Sequence, residues 1–317
     1  MGSRHYGKQR APQTIAVDQS TIYWGSLYSY TVDKVAKDGG TSTVLAQNEV
    51  YPSGIAVDAT SIYWVDRGYG TSDGLVRKMP LAGGTPTTLV GGLSSRPSAL
   101  VVAGTEIFYA TIGASGTDGT IVRVATTNVP DAGAGTVVAN AQSSPTSMAA
   151  DAVAVYWTNY GTTVAPDAGP QNGTVMKCAL PACAGGPQAV AATQNHPRGI
   201  AVDADTVYWT NYGTGQNDGA IMKCAKASSG ALDGGGAAVT TLVTGLLYPD
   251  AVAVDAKYVY FTTRAGLIQK VALQGGAAET VVQVVQSYPF ALVTDDQFLY
   301  FATPSGPAGG SLQKLLK

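Results

Sequence analysis

Short apolar runs alternate with turn-forming residues along the chain, and none of them keeps a helical period. One stretch shows the pattern clearly, with IAVD at 200–203, VYWT at 207–210, AIMKC at 220–224 and VTTLV at 239–243. Each run is β-branched or aromatic and is bounded by Gly, Pro, Asn or Asp, which is typical of a strand. The Asn-Asp-Gly triplet before Ala220 favours a tight hairpin. The pattern predicts an all-β protein of short antiparallel strands.

The same pattern repeats seven times. Its frame is a proline, two variable residues, an apolar triplet, an Asp, three linking residues and then an apolar-aromatic-aromatic run. The copies begin at Pro12, Pro52, Pro97, Pro145, Pro197, Pro249 and Pro289. A repeat of roughly 40–50 residues with four short strands is the signature of a β-propeller. We therefore predict one seven-bladed β-propeller of four-stranded antiparallel blades over residues 12–317, with each blade packed between its neighbours.

Two motifs within the repeat resemble known propeller families. The segments PSGIAVD at 52–58 and PRGIAVD at 197–203 resemble the first strand of NHL-type repeats. Tyr63-Trp64-Val65-Asp66 resembles the YWTD motif of the low-density-lipoprotein-receptor class, although other copies replace its Asp by Ser26, Asn159, Asn211 and Thr263. The resemblance implies the propeller fold. It implies no single activity, because such propellers include binding modules, scaffolds and a few enzymes.

The seventh copy contains only three predicted strands, at 291–294, 298–301 and 311–316. Propellers commonly close by pairing an N-terminal strand into the last blade, and residues 3–9 stand at the right distance for that role. We expect a last blade that is either closed by an N-terminal strand or left three-stranded. Residues 1–11 are interpreted as a leader that either derives from an expression vector or supplies the closing strand.

Charge and composition exclude several classes of function. A net charge of −2 argues against a nucleic-acid partner, which needs a basic face. No apolar run reaches the roughly 20 residues of a membrane span. With two His and three Cys we expect no metal site, and without nucleotide-binding motifs we expect no cofactor. We expect a monomer.

A local disulfide is predicted between Cys178 and Cys183, which bracket a short turn in the segment CALPAC. Cys224 stands one repeat later without a second cysteine and is expected to be a small buried side chain. A disulfide implies an oxidising compartment. We therefore expect a secreted, periplasmic or cell-surface location, although the chain shows no signal peptide.

Three features recur in nearly every copy, and we interpret them as structural. An Asp ends the first strand, and we expect it to accept backbone hydrogen bonds in the following turn rather than to form a metal ring. A basic residue recurs in the third strand, where we expect an apolar stem with its charge in water or beside an Asp rather than a polyanion site. Aromatic pairs recur in the second strand and are expected to pack in the core rather than stack on sugars. The aspartates are Asp18, Asp58, Asp151, Asp203, Asp255 and Asp295.

The copies differ most in the loops that enter the first strand and in those that follow the second strand. In a propeller these loops share one face around the channel mouth, and here they are rich in Tyr and Arg, which favour binding. We predict a non-catalytic binding or scaffold module for a protein, peptide or glycan. The candidate binding residues are Tyr51, Arg96, Asn159, Tyr160, His196, Arg198, Asn211, Tyr212, Tyr248, Asp250, Tyr288 and Phe290. The same loops add Tyr28, Tyr30, Arg67, Tyr69, Arg264 and the long segment 164–173.

The near-identical segments VYWTNYGTT (155–163) and VYWTNYGTG (207–215) sharpen this prediction. Their VYW halves belong to the repeated frame, and their Asn-Tyr pairs are expected to be exposed at the mouth.

Two alternatives to a binding function stay open. One is a propeller lyase or hydrolase that uses His196 as a catalytic residue with Arg198 and Asp250. The other is a purely structural or engineered repeat protein without a ligand.

Overall fold

The computed structural model describes residues 11–70, 72–127, 133, 135–162, 172–226, 239–285, 287–304 and 309–317, and the backbone of 4–9. The described residues contain no α-helix. Of the predicted long loop at 164–173, residues 164–171 lie outside the described residues. The strands form seven sheets of four antiparallel strands each.

The first three blades follow the repeat in chain order. Their strands are β2 Pro12–Val17, β3 Thr21–Ser26, β4 Thr31–Ala36 and β5 Thr43–Gln47 in blade 1; β6 Pro52–Val57, β7 Ser61–Asp66, β8 Gly74–Pro80 and β9 Thr87–Leu93 in blade 2; and β10 Pro97–Ala103, β11 Glu106–Thr111, β12 Gly119–Ala125 and β13 Thr136–Gln142 in blade 3. Each blade begins at the proline of the frame, which cannot donate a backbone hydrogen bond.

Blades 4 to 6 follow the same order. Their strands are β14 Pro145–Ala150, β15 Ala154–Asn159, β16 Gly173–Ala179 and β17 Gln188–Gln194 in blade 4; β18 Pro197–Val202, β19 Thr206–Asn211, β20 Gly219–Ala225 and β21 Thr240–Leu246 in blade 5; and β22 Pro249–Val254, β23 Tyr258–Thr263, β24 Leu267–Ala272 and β25 Glu279–Gln283 in blade 6. In blade 5, Pro197 pairs with Asn211 and Ile200 with Trp209, and a bulge lies between the two pairs.

The seventh blade takes three strands from the last repeat and one from the start of the chain. Its strands are β26 Ala291–Thr294, β27 Phe298–Thr303, β28 Gly310–Leu316 and β1 Arg4–Gln9, which pairs antiparallel with β28. Of the two closures that the sequence left open, the N-terminal strand is therefore the one that the structure contains. The predicted all-β fold of seven four-stranded propeller blades is confirmed.

The chain folds as two compact units. Unit 1 comprises Met1–Thr111, Val122–Thr136 and Gln286–Lys317, and unit 2 comprises Ile112–Ile121 and Val137–Val285. Blades 1, 2 and 7 lie in unit 1, and blades 4, 5 and 6 lie in unit 2.

The aromatic pairs of the second strands form the core between blades. Adjacent strand residues point to opposite faces, so one ring of each pair packs on each side of the blade. Tyr63 packs with Tyr109, for example, whereas its neighbour Trp64 packs with Tyr23. All fourteen rings of the seven pairs are at most 2% exposed. The prediction of core packing is confirmed.

Each of the six frame aspartates closes the turn between the first and second strands. Asp203 Oδ1 accepts the backbone N–H groups of Asp205 and Thr206 at 2.9 and 2.8 Å, and its Oδ2 accepts the Tyr208 hydroxyl at 2.8 Å. The tyrosine bond was not expected from the sequence. The same three kinds of bond recur at Asp18, Asp58, Asp151, Asp255 and Asp295.

Several of the repeated lysines join neighbouring blades through backbone carbonyls, a contact that was not expected from the sequence. Lys223 Nζ in blade 5 donates to the Leu273 carbonyl of blade 6 at 2.6 Å. Equivalent bonds in unit 1 join Lys34 to Leu81 and Lys78 to Thr126 at 3.4 and 2.9 Å. At these three positions the lysine therefore fixes a backbone carbonyl of the next blade.

The cysteines lie in blades 4 and 5. A disulfide joins Cys178 to Cys183, whose Cα atoms are 5.0 Å apart. Cys224 is a free thiol and is 1% exposed. It fills a core position beside Tyr156 and Val207, as expected of a small buried side chain.

Candidate functional site

The residue before the frame proline adopts a left-handed backbone in several blades. His196 and Tyr248 have φ values of 53° and 49°, and Tyr51 has 56°. Such values are uncommon for residues with a side chain, and they persist only where the surroundings hold them. Backbone bonds hold them here, because Tyr212 N–H donates to the His196 carbonyl and Arg264 N–H to the Tyr248 carbonyl, at 3.1 and 3.2 Å. Each such residue is thereby placed beside the loop that follows the second strand.

Seven side chains of unit 2 meet where these loops lie. They occupy three equivalent positions in blades 4 to 6: after the second strand, before the frame proline and after the frame proline. We call them the unit 2 cluster; its members are Tyr160, His196, Arg198, Tyr212, Tyr248, Asp250 and Arg264.

Four rings form a continuous row in this cluster. The ring centroids of His196 and Tyr160 are 4.6 Å apart, those of Tyr160 and Tyr212 6.2 Å, and those of Tyr212 and Tyr248 4.6 Å. The planes of these pairs are inclined by 33° to 58°. The Tyr248 hydroxyl donates to the Thr214 carbonyl at 3.2 Å. The row is thus tied to the loop after β19.

Two arginines share one buried carboxylate beside the row. Asp250 Oδ2 lies 3.1 Å from Arg198 Nη1 and 3.9 Å from Arg264 Nε. Both guanidinium carbons lie over the Tyr212 ring, 5.0 and 5.3 Å from its centroid, which adds cation–π attraction. Burial raises the pKa of Asp250, and the two guanidinium groups oppose that effect. Asp250 is therefore a shared contact of both guanidinium groups.

The backbone around Asp250 is fixed by the second strand of the preceding blade. Thr210 Oγ1 accepts the Gly199 N–H and donates to the Asp250 carbonyl, both at 2.9 Å. A side chain at Gly199 would collide with that carbonyl, so glycine permits β18 and β22 to approach closely. In blade 4, Thr158 makes the equivalent bond to the Arg198 carbonyl at 2.6 Å. The threonine of each YWT segment thus positions a charged residue of the next blade.

His196 lies against an amide and a ring. Its Nδ1 is 3.1 Å from Asn195 Oδ1, and Asn195 Nδ2 donates to Asp218 Oδ2 at 3.0 Å. Burial lowers the pKa of His196, and the Asp218 charge opposes the shift. The imidazole is therefore neutral at neutral pH. Within the described part of the chain, no three His, Cys, Asp or Glu side chains are grouped so that they could hold a metal ion.

The two Asn-Tyr pairs are mostly buried, which corrects the expectation that all four residues are exposed. Asn159 and Asn211 are 5% and 7% exposed, Tyr212 is also 7% exposed, and Tyr160 is half-buried. Asn211 Nδ2 donates to Gln194 Oε1 at 3.0 Å, and the Trp209 indole donates to the same oxygen. The asparagines therefore secure the end of the second strand, and they are not surface contacts.

The partners of these asparagines were missed by sequence reasoning. Gln142 Oε1 accepts hydrogen bonds from Asn159 and Trp157. Gln194 Oε1 accepts the equivalent bonds from Asn211 and Trp209. The signal was present, since a Glu or Gln stands fifteen positions before the tryptophan in each of these copies and again at Glu49.

The remaining candidates lie in unit 1. Tyr51 packs edge to face with Tyr30 and Tyr69, with centroids 5.6 and 5.4 Å away. Arg96 is exposed near Gly70, whereas Tyr288 and Phe290 are half-buried before β26. Six of the twelve candidate residues thus meet in the unit 2 cluster, and four belong to unit 1.

Solved structures share the fold across nearly the whole chain. A chain of a nidogen/laminin complex is 17% identical, with 86% of this chain and 97% of that chain covered and a TM-score of 0.57. The WD40 propeller domain of Doa1 is 12% identical, with 100% and 97% covered and a TM-score of 0.64. A gluconolactonase from Xanthomonas campestris is 18% identical, with 99% and 89% covered and a TM-score of 0.55.

No protein-family model matches the sequence, and no curated protein matches it. None of the described residues forms a helix long and apolar enough to cross a membrane. These structural neighbours include a chain from a complex, a WD40 domain and an enzyme. At these sequence identities the likeness shows the seven-bladed β-propeller fold alone.

Proposed function

We propose that this protein is a non-catalytic binding propeller that recognises a peptide segment of a partner protein through the unit 2 cluster. Tyrosine and arginine dominate the energetically important positions of protein interfaces. Here five such side chains, together with His196 and Asp250, gather at one place from three blades.

The observation that carries the proposal is the contact of Arg198 and Arg264 with both Asp250 and the Tyr212 ring. These contacts hold two long side chains in place before any ligand arrives. Binding therefore costs less side-chain entropy than it would with freely rotating arginines. An ordered group of this kind is typical of a recognition surface.

The arrangement favours a peptide over a glycan. A sugar-binding platform needs an open aromatic face on which the sugar ring can stack. Tyr212 is instead buried, with two guanidinium groups and the Tyr248 ring within 5.3 Å of its centroid. The cluster offers hydrogen-bonding edges rather than flat ring faces.

The repeat class and the location are proposed together with this function. The PSGIAVD, PRGIAVD and Tyr63-Trp64-Val65-Asp66 motifs support an NHL-like or YWTD-like repeat. The disulfide between Cys178 and Cys183 supports an exported protein, because such bonds persist in oxidising compartments. We propose a monomer that acts outside the reducing cytoplasm.

A displayed library of random twelve-residue peptides tests the function. We expect the immobilised protein to enrich a set of related peptides. Replacing Tyr248 by Ala should weaken their binding about 30-fold or more, which is the effect of losing an interface hot spot of about 2 kcal/mol. Tyr69→Ala is the matched control, since Tyr69 is an exposed loop tyrosine of unit 1 and should leave binding unchanged.

Two results would contradict the proposal. One is the absence of any enriched peptide family. The other is enrichment that survives Tyr248→Ala but is lost in Tyr69→Ala, which would move the site to unit 1. Turnover of lactone, glycoside or uronate substrates that is lost in His196→Ala would instead support the enzyme alternative.

A further inference from the structure

We infer that unit 1 carries an anion site at which Arg67 and Arg96 bind the tetrahedral oxyanion of a phosphate or sulfate ester. The site shares no residue with the unit 2 cluster, and it does not rest on the proposed function. It follows from the place of the two arginines in the repeat, from the charges around them and from the tyrosines beside them.

The repeat brings the two arginines together. Arg67 directly follows the second strand of blade 2, and Arg96 directly precedes the frame proline of blade 3. Where blade 4 meets blade 5, the same two positions hold Tyr160 and His196, whose ring centroids are 4.6 Å apart. Arg96 Nη2 lies 3.6 Å from the point that a Cβ on Gly70 would occupy. The Arg96 guanidinium therefore lies at the loop that begins with Arg67.

The two guanidinium charges reinforce each other. Arg67 and Arg96 form no ion pair with an acid among the described residues. Burial lowers the pKa of Arg67, and the positive charge of Arg96 lowers it further. Guanidinium groups nevertheless stay charged at neutral pH. An anion bound between them would replace this repulsion by two attractions.

The acids that flank Arg67 along the chain do not neutralise it. Asp73 accepts two backbone N–H groups of its own loop, at 2.7 and 3.2 Å. Burial, together with the neighbouring Glu49, raises the pKa of Asp66 to about 9, so this carboxyl group is protonated at neutral pH. Glu49 itself lies 3.6 Å from Arg77 Nη2. The counter-charge for Arg67 and Arg96 is therefore expected from a ligand.

The pair of arginines fits a tetrahedral oxyanion better than a carboxylate. Each guanidinium is a planar fork that donates two parallel hydrogen bonds to two oxygens of an anion. A carboxylate has only two oxygens, whereas a phosphate or sulfate ester has three terminal oxygens that two forks can share. A phosphate monoester also carries close to two negative charges at neutral pH, and a sulfate ester carries one. We therefore expect phosphate esters to bind more tightly than sulfate esters.

Three tyrosines form an aromatic surface beside the arginines. Tyr51 packs edge to face with Tyr30 and Tyr69, with ring centroids 5.6 and 5.4 Å away. Its carbonyl accepts the Arg67 N–H at 3.1 Å, which fixes the tyrosines next to Arg67. Tyr69 is 67% exposed. An ester of an aromatic alcohol can thus rest its ring against Tyr69 while its oxyanion reaches the arginines.

Titration calorimetry with the whole chain tests the site, with phenyl phosphate, phenyl sulfate, inorganic phosphate and phenol as ligands. We expect both esters to bind, and phenol, which lacks the oxyanion, to bind at least about 10-fold more weakly. Ester affinity should fall as NaCl is raised, because salt screens the charges. Inorganic phosphate should bind more weakly than phenyl phosphate, because it has no ring to contact Tyr69.

Four variants locate the site. Arg67→Gln and Arg96→Gln should each weaken ester binding by about 10-fold or more. Arg67→Gln should not lower the thermal midpoint of the free protein, because it removes a repulsion, whereas loss of a structural arginine would lower it. Tyr69→Ala should weaken phenyl phosphate but not inorganic phosphate. Arg123→Gln is the matched control, since Arg123 already pairs with Glu106 in unit 1 and should retain full binding.

The outcomes decide the inference independently of the proposed function. Ester binding that depends on Arg67 and Arg96 supports the site, and the tighter ester identifies the group that it takes. Equal affinities for phenyl phosphate and phenol would overturn it, and so would ester binding that survives both Arg67→Gln and Arg96→Gln. Tyr248→Ala should bind the esters normally, so loss of ester binding in that variant would also overturn it.

Discussion

Trp64 donates its indole N–H to Oε2 of Glu49 over 2.8 Å, and both side chains are at most 1% exposed. For Trp209 in blade 5 the equivalent acceptor is the amide of Gln194 at the end of blade 4, which also accepts from Asn211. For Trp64 both amide positions are occupied by acids, because Glu49 stands where Gln194 stands and Asp66 stands where Asn211 stands. One junction between blades therefore has two carboxyl groups where another has two neutral amides.

The stability of the protein should fall with rising pH because of Asp66. Burial, together with the neighbouring Glu49, raises the pKa of Asp66 to about 9, compared with about 3.9 for an unfolded aspartate. Between these values the folded protein holds a proton that the unfolded chain releases. The stabilising contribution is therefore complete below about pH 4 and is lost as the pH rises toward 9.

Asp66→Asn should remove this dependence of stability on pH. The new side chain has the same shape as Asn211, which occupies the equivalent position in blade 5. We expect urea unfolding at pH 5, 7 and 9 to show a falling free energy of unfolding for the unchanged protein and a flatter profile for the variant. Asp38→Asn, which changes an exposed carboxyl group, serves as the control. If the free energy of unfolding falls equally with pH in Asp66→Asn and in the unchanged protein, the pH dependence does not come from Asp66.

Removing the Asp203 carboxylate should destabilise the protein more than removing the Tyr208 hydroxyl. Asp203→Ala removes the acceptor of two backbone N–H groups and of the Tyr208 hydroxyl at once. Tyr208→Phe removes only one bond to a charged acceptor, worth about 1.5–3 kcal/mol.

We expect thermal unfolding midpoints to rank Asp203→Ala below Tyr208→Phe and both below the unchanged protein. Asp205→Ala alters an exposed side chain in the same turn and should have little effect. A larger loss for Tyr208→Phe than for Asp203→Ala would show that the turn closes without its carboxylate.

The fold could be predicted because its signals are local and repeated. The role of Asp203 depends on residues two, three and five positions away, and the core role of Trp64 depends on strand alternation within one blade. Seven copies of the same pattern outweigh the ambiguity of any single short strand. The closing strand remained one of two options because residues 4–9 carry little apolar pattern.

The site was only partly predictable because its contacts join different blades. The repeat places Arg198 and Asp250 at equivalent positions in adjacent blades, yet it does not say that their side chains meet. The exposure of Asn211 was misjudged because its partner, Gln194, lies seventeen positions earlier at the end of the preceding blade. Asn211 stands at the end of a strand and was therefore expected to be exposed. In the structure the Gln194 side chain covers it.

Lys37 should stabilise the protein at neutral pH and lose that effect in acid. Its Nζ lies 2.6 Å from Asp295 Oδ2 across neighbouring blades of unit 1. Burial acts to raise the pKa of Asp295, but the hydrogen bonds from Lys37 and Tyr300 hold that pKa well below its ordinary value. The stabilisation is thus present above about pH 4 and is lost as the pH falls further.

Lys37→Met should lower the free energy of unfolding at pH 7, and the gap to the unchanged protein should narrow below about pH 4, where the unfolded aspartate is protonated. Lys257→Met replaces an exposed lysine and should show no such convergence. A gap that stays constant from pH 7 to pH 2 would mean that Lys37 acts through its apolar stem rather than through Asp295.

Gly199 should tolerate no side chain, because the main chain at Asp250 occupies the space. A Cβ at this position would lie 3.0 Å from the Val252 nitrogen and closer still to the Asp250 carbonyl. Overpacking of this kind costs about 1–3 kcal/mol, and here the obstructing atoms are backbone, which cannot rotate away. Gly199→Ala should therefore lower the thermal midpoint and, by displacing Asp250, weaken peptide binding at the unit 2 cluster.

Gly91 provides the matched control within strand β9. A Cβ there would meet nothing closer than 3.6 Å, which is ordinary van der Waals contact. Gly91→Ala should be neutral or slightly stabilising, because alanine restricts the unfolded chain more than glycine does. Gly199→Ala combined with normal stability and unchanged peptide affinity would show that β18 and β22 can separate without disturbing Asp250. The close approach of these strands would then have no part in positioning the two arginines.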